Sequence, residues 1–218
     1  MTDAKQRLTH LIELATTDAP ENRRALAVEL CDLLIDWPAH YPPAMREPFE
    51  ALLEKTVRSI DADTRRALIV KLATRHETPV TLLNEFYFDA PQDTRDAIVL
   101  RNALMDGASA MAAGHTDEAA LVSAARSKPQ DQFTQAFADL LGLAHGTADN
   151  ILHDHSGHAL AVACKGAHLG RATFSALAVL SEAGMALDTA RERLASFDSV
   201  PLTGAERLLD YWRTHKAA

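Results

Sequence analysis

Apolar residues along this chain recur at intervals of three and four, the spacing that places them on one face of an α-helix. After Pro20 these residues are Leu26, Leu30, Leu33, Leu34 and Trp37, and after Pro48 they are Phe49, Leu52, Leu53, Val57 and Ile60. No stretch alternates apolar and polar residues over the length of a half-buried strand. The pattern therefore predicts about eleven to thirteen helices and no sheet.

One helical segment occurs three times in the N-terminal half of the chain. The copies read NRRALAVEL, TRRALIVKL and TRDAIVLRN, and they align Arg23 with Arg65 and Arg95. These arginines are 42 and then 30 residues apart, a spacing typical of stacked helix pairs. We therefore predict an all-α fold, an irregular HEAT-like α-solenoid of stacked antiparallel helix pairs.

The repeats divide the chain into two predicted parts. Residues 1–106 are assigned to the HEAT-like repeats, and Gly107 begins a looser passage. Residues 107–218 show no clear copy, so they form either divergent repeats of one continuous solenoid or a separate helical bundle. Within them, residues 156–168 are apolar on nearly every side and predict a buried helix, which Gly170 is expected to end.

The formal net charge of −8 disfavours a general nucleic-acid binder, because an acidic surface repels phosphate backbones. A DNA-binding helical repeat stays an alternative, to be tested by salt-dependent binding to duplex DNA. The two cysteines, Cys31 and Cys164, lie in apolar runs and indicate buried thiols in a reducing cytoplasm. We expect no secretory leader and no membrane span, since no apolar run approaches the roughly 20 residues that a span requires.

Three stretches resemble an alphaproteobacterial family of uncharacterised HEAT- or armadillo-like helical-repeat proteins. They are LTHLIELATTDAPENRRALAVELCDLL, DADTRRALIVKLA and HALAVACKGAHLGRATFSALAVL. The resemblance runs from Leu8 to Leu180 and departs from the family's pattern at residues 86–100. It implies a helical-repeat fold and at most an interaction role, and it supplies no catalytic residues.

Cationic and aromatic side chains near the repeats are the candidates for contact with a partner. The predicted partner-binding residues are Arg65, Arg66, Arg95, Phe86 and Tyr87, with Trp37 and Tyr41 as further candidate anchors. In the alternative interpretation the arginines pair with acidic residues of neighbouring repeats, and the aromatic residues belong to the core.

A histidine-rich segment between two helical patterns carries the other candidate chemistry. It contains His153, Asp154, His155 and His158, and imidazoles with a carboxylate are ligands for zinc and similar ions. The spacing matches no known metal signature, so a solvated turn between helices is the alternative. We therefore predict no metal, with these four residues as the candidates if one binds.

Together these observations predict a non-enzymatic scaffold or adaptor that binds another protein and needs no cofactor. A cytoplasmic role in bacterial signalling or regulation is expected. The alternative is a metal-binding protein or metal-dependent enzyme that uses the segment from His153 to His158.

Overall fold

The computed structural model describes residues 2–16, 19–105, 117–180 and 194–215. These residues form 13 α-helices and two short 3-10 helices, with no strand among them, as the hydrophobic pattern predicted. The α-helices are α1 (Thr2–Thr16), α2 (Pro20–Ile35), α3 (Arg46–Val57), α4 (Ala62–Ala73), α5 (Val80–Glu85), α6 (Gln92–Ala103), α7 (Glu118–Ser127), α8 (Gln130–Leu141), α9 (His145–Leu152), α10 (His158–Gly166), α11 (Arg171–Leu180), α12 (residues 194–199) and α13 (Leu202–Thr214). The 3-10 helices are Pro43–Met45 and Tyr87–Asp89.

The chain divides into two compact units, unit 1 (Met1–Ile98) and unit 2 (Val99–Ala218). The division falls within α6, whereas the sequence placed it between residues 106 and 107. Gly107, which marked the predicted boundary, lies outside the described residues. Of the described helices, none is long and apolar enough to cross a membrane.

Unit 1 is built from helices that contact their near neighbours along the chain. Helix α2 packs against α1, α3 and α4, and α5 packs against α3 and α4. The side chains at the centre of these contacts are completely or almost completely buried: Leu30, Leu33, Leu53, Ile69, Leu72 and Leu83. Burial of these side chains removes apolar surface from water and is the main stabilising term of the unit.

The three sequence copies have equivalent positions in the structure. Helices α2, α4 and α6 each begin three residues before the aligned arginine, at Pro20, Ala62 and Gln92. Residues three and four positions after that arginine are buried in every copy, and the next residue is more exposed. In α4 and α6 that more exposed residue is Val70, at 50% exposure, and Leu100, at 53%.

Unit 2 is organised around α10, as its apolar composition predicted. Eight of its nine residues are buried, and the helix contacts α9, α11 and α13. Helix α13 supplies Leu208, Leu209 and Trp212 to the same core. The helices approach so closely at Gly166 that a Cβ atom there would lie 2.5 Å from the carbonyl oxygen of Ala205.

Helix α10 ends at Gly166, and the residue that closes it is His168 rather than Gly170, the residue that the sequence predicted. His168 has the left-handed backbone conformation, with φ of 57°, and the Leu169 amide donates to the carbonyl of Cys164 at 2.8 Å. This is the bond pattern that closes a helix, usually with glycine in the left-handed position. Gly170 instead lies directly before α11, and its amide donates to the Glu118 carboxylate at 3.2 Å.

Candidate protein-binding groove

The guanidinium of Arg65 links α4 to the C-terminal ends of α3 and α5. Its Nη1 donates to the carbonyl of Val57 at 2.7 Å, its Nη2 donates to the carbonyl of Glu85 at 2.8 Å, and its Nε donates to Asp89 at 2.6 Å. The group also lies 5.5 Å from the centre of the Phe86 ring. The Arg65 side chain is only 17% exposed, and its donors are used within unit 1. Arg65 therefore has a structural role in this conformation.

Arg95 repeats this arrangement in the next copy. Its Nε donates to the carbonyl of Ala90 and its Nη2 to the carbonyl of Phe88, both at 2.9 Å. Its guanidinium lies 5.4 Å from the centre of the Tyr87 ring. The two aligned arginines thus connect the turn between α5 and α6 to α4 and α6. Their contacts with backbone carbonyls were not predicted.

Phe86 and Tyr87 were predicted to contact a partner, and the structure corrects this placement. Both side chains are 0% exposed, so a partner cannot reach them in this conformation. The reason is that α5 ends at Glu85 and a 3-10 turn follows, which directs both rings into unit 1. The alternative interpretation, that this aromatic cluster belongs to the core, describes these two residues.

Trp37 and Tyr41 also pack locally. The Trp37 ring lies 5.6 Å from that of Tyr41 and 5.8 Å from that of Phe49, both in edge-to-face geometry. Such aromatic pairs stabilise the loop between α2 and α3 beyond the area they bury.

Arg66 differs from its neighbour Arg65 because its side chain points to solvent. It is 59% exposed, and its ion pair is with Asp63 on the same helix, at 3.4 Å. The Asp63 side chain is 91% exposed, and an ion pair between two exposed groups contributes little to stability. Of the three predicted arginines, Arg66 is therefore the one placed to meet a partner.

A groove of about 530 Å³ lies beside Arg66 in unit 1. We call it the α4–α6 groove; it is lined by Arg66, Ala67, Val70, Phe88, Asp89, Ala90, Pro91 and Arg95. Apolar side chains form much of its surface, and the exposed guanidinium of Arg66 lies at its edge. The structure thus brings Arg66 and Arg95 to one site, which the spacing of the repeats did not reveal.

An ion pair joins the first two copies at the start of α4. Asp61 precedes the helix, and its carboxylate accepts from the Thr64 amide at 2.9 Å and from Arg24 at 2.9 Å. The Thr64 amide and hydroxyl lower the pKa of Asp61 to about 2, and Arg24 acts in the same direction. This is the pairing between neighbouring repeats that the alternative interpretation of the arginines expected.

In the histidine-rich segment, Asp154 is occupied by the start of α10. Its carboxylate accepts from the Ser156 hydroxyl at 2.8 Å and from the Ala159 amide at 2.9 Å, as a helix-capping residue does. His153 is engaged on the preceding helix, with its Nδ1 2.9 Å from the carbonyl oxygen of Asp149.

The other two candidates of that segment differ in exposure. His155 is exposed, whereas His158 is buried at 2% exposure. Within the described residues, no group of three or more His, Cys, Asp or Glu side chains is arranged to hold a metal ion. Metal binding by this segment was the alternative interpretation, and it can be tested by elemental analysis of untagged protein and by its thermal shift with zinc.

The described residues are all-helical, and unit 1 carries a groove that is lined partly by exposed side chains. Residues 103–210 match the model of a family described as "Uncharacterised protein conserved in bacteria (DUF2336)". This stretch, just under half of the chain, is thus similar to an uncharacterised bacterial domain, and it lies entirely within unit 2. No curated protein and no solved structure matches the chain significantly.

Proposed function

We propose that this chain is a non-enzymatic scaffold that binds another protein in the α4–α6 groove. The observation that carries the proposal is an apolar surface beside the exposed guanidinium of Arg66. Interfaces combine a buried apolar centre with a polar rim, and arginine is enriched among the residues that dominate binding. The groove volume of about 530 Å³ also falls within the roughly 300–1,000 Å³ of sites that enclose a small ligand, so a short peptide segment fits.

The architecture of unit 1 supports the same proposal. We infer that its helices are HEAT-like pairs of an irregular solenoid related to the alphaproteobacterial helical-repeat family. Helices α1 to α5 contact near neighbours along the chain, and α2, α4 and α6 begin at equivalent positions. Stacked helix pairs create extended surfaces that suit partner helices or peptides. A cytoplasmic adaptor in bacterial signalling or regulation is the role that we propose for such a surface.

Affinity capture tests the proposal directly. Full-length protein is immobilised and incubated with an extract of the native cells, and retained proteins are identified by mass spectrometry. The variant Arg66→Gln removes the exposed charge at the groove. The matched control is Lys71→Gln on the same helix, since Lys71 is 51% exposed and is not among the residues that line the groove.

The expected result is a partner that the unmodified chain and Lys71→Gln retain and that Arg66→Gln loses. Thermal unfolding of all three proteins should show that neither variant has lost its fold. Equal retention of the same partner by Arg66→Gln would exclude the groove as the docking site. If all three proteins retain only background proteins, the scaffold role would be rejected.

A further inference from the structure

The junctions between the repeat copies differ at one place, and that place borders the α4–α6 groove. At the first junction, Arg24 of α2 donates to Asp61, the residue directly before α4, at 2.9 Å. The aligned helix starts make Arg66 of α4 the counterpart of Arg24. They also make Pro91, directly before α6, the counterpart of Asp61.

At the second junction the arginine is kept and the acid is replaced. Pro91 carries no acceptor in its side chain, and both Pro91 and Arg66 line the groove. Arg66 instead has its ion pair with Asp63, an exposed residue of its own helix, at 3.4 Å. This contact is longer than the 2.9 Å contact between the first two copies and is open to water.

We propose that the α4–α6 groove binds an Asp or Glu side chain of the partner, in the position that Asp61 occupies beside Arg24. The inference rests on the proposed function and specifies the chemistry of the partner: an acidic residue flanked by apolar residues. A guanidinium matches a carboxylate with two parallel hydrogen bonds, so Arg66 can exchange Asp63 for the carboxylate of the partner.

The other charged groups of the groove leave Arg66 as the contact for that carboxylate. Asp89 is engaged by Arg65 at 2.6 Å, and Arg95 is turned to backbone carbonyls. Val70, which is half exposed, and Ala67 offer apolar contact next to Arg66 on the same helix. An acidic residue beside apolar residues therefore matches both the charge and the surface of the groove.

A displayed library of random 12-residue peptides is the probe. It is selected on the immobilised full-length protein, and the enriched peptides are then measured by fluorescence anisotropy. We expect them to carry an acidic residue next to apolar ones. Replacing that residue by its amide should weaken binding by roughly fivefold to tenfold, as expected for an exposed charge-assisted hydrogen bond.

Restoring the missing acid within the chain is the sharper test. In Pro91→Asp, the new carboxylate should occupy Arg66 and weaken peptide binding to the level of Arg66→Gln. The matched control is Pro91→Asn, which has the same shape without the charge and should bind like the unmodified chain. Asp and Asn are both favoured directly before a helix, so both variants should keep or raise the unfolding temperature.

The outcomes separate this inference from the proposed function. Full peptide affinity in Pro91→Asp, or equal binding of the acidic peptide and its amide form, would overturn the carboxylate site. If the native extract still yields a partner that depends on Arg66, the scaffold proposal would then survive. Enrichment of no peptide over the bare support would count against both.

Discussion

Replacing Arg65 should destabilise unit 1 far more than replacing its neighbour Arg66. In Arg65→Ala the carbonyls of Val57 and Glu85 and the carboxylate of Asp89 all lose a charged donor. A hydrogen bond to a charged group contributes about 1.5–3 kcal/mol, and water can replace part of it at a side chain that is 17% exposed. We therefore expect a loss of about 3–4 kcal/mol in the free energy of unfolding.

Two further variants separate the geometry of the guanidinium from its charge. Arg65→Lys keeps the charge but cannot reach three acceptors in different directions, so it should lose about 2 kcal/mol. Arg66→Ala removes an exposed ion pair at 3.4 Å and should change stability by no more than about 0.5 kcal/mol.

Urea unfolding at 25 °C, followed by far-ultraviolet circular dichroism, measures these differences as shifts in the midpoint at an unchanged slope. The same loss of stability in Arg65→Ala and Arg66→Ala would refute the reasoning. So would a loss below about 1 kcal/mol in Arg65→Ala, since that would mean that water satisfies the carbonyls as well as the guanidinium does.

Other parts of the chain give three further predictions. Gly166→Ala should lower the free energy of unfolding by about 1–3 kcal/mol in a urea titration, because its Cβ would meet the Ala205 carbonyl oxygen at 2.5 Å. A loss in unfolding free energy below about 0.5 kcal/mol, the size expected for a surface substitution, would show that the two helices separate easily. Asp61 should stabilise the fold fully above its unfolded pKa of about 4 and lose this effect as the pH falls through its folded pKa of about 2. Asp61→Asn should abolish that dependence in unfolding temperatures measured between pH 5 and about 2, and an unchanged pH profile would contradict this. Burial raises the pKa of Cys31 to about 12 and that of Cys164 further, so a thiol reagent at pH 8 should label both only after denaturation. Rapid labelling of the folded chain would contradict their burial.

The regular features of the fold follow from short-range patterns and were predicted. Apolar spacing located the helices, and the aligned arginines located equivalent positions of α2, α4 and α6. The buried helix α10 was also predicted, because apolar residues on every side leave no face for solvent. Such features depend on residues within one helix, whose neighbours are known from the sequence.

The features that were missed depend on groups far apart in the chain or on backbone geometry. The carbonyl contacts of Arg65 join it to Val57 and Glu85, and no sequence signal reports where a carbonyl points. His168 closes α10 because its amide and that of Leu169 donate to carbonyls of the last turn, although glycine is the more typical residue in this left-handed position. Phe86 is an aromatic residue of the kind that often anchors a partner, but the tertiary fold buries it through the turn after α5.

The groove shows the same division between local and tertiary information. Arg66 was a predicted contact residue because of its charge and its place in the repeat. The repeat alone did not suggest that Arg66 lacks an acidic partner before α6, where Pro91 stands at the position of Asp61. The difference matters because Arg24 and Asp61 form an ion pair between two copies, and only the structure shows that contact.

The chain has two tryptophans, and each unit contains one of them. Trp37 lies among the aromatic rings after α2, and Trp212 is buried at 3% exposure in the core around α10. Intrinsic fluorescence is therefore a resident optical probe for each unit. In Trp37→Phe the remaining emission reports on unit 2, and in Trp212→Phe on unit 1. Denaturation of these two proteins distinguishes a molecule that melts as one cooperative body from one whose halves melt separately, without an added dye or label.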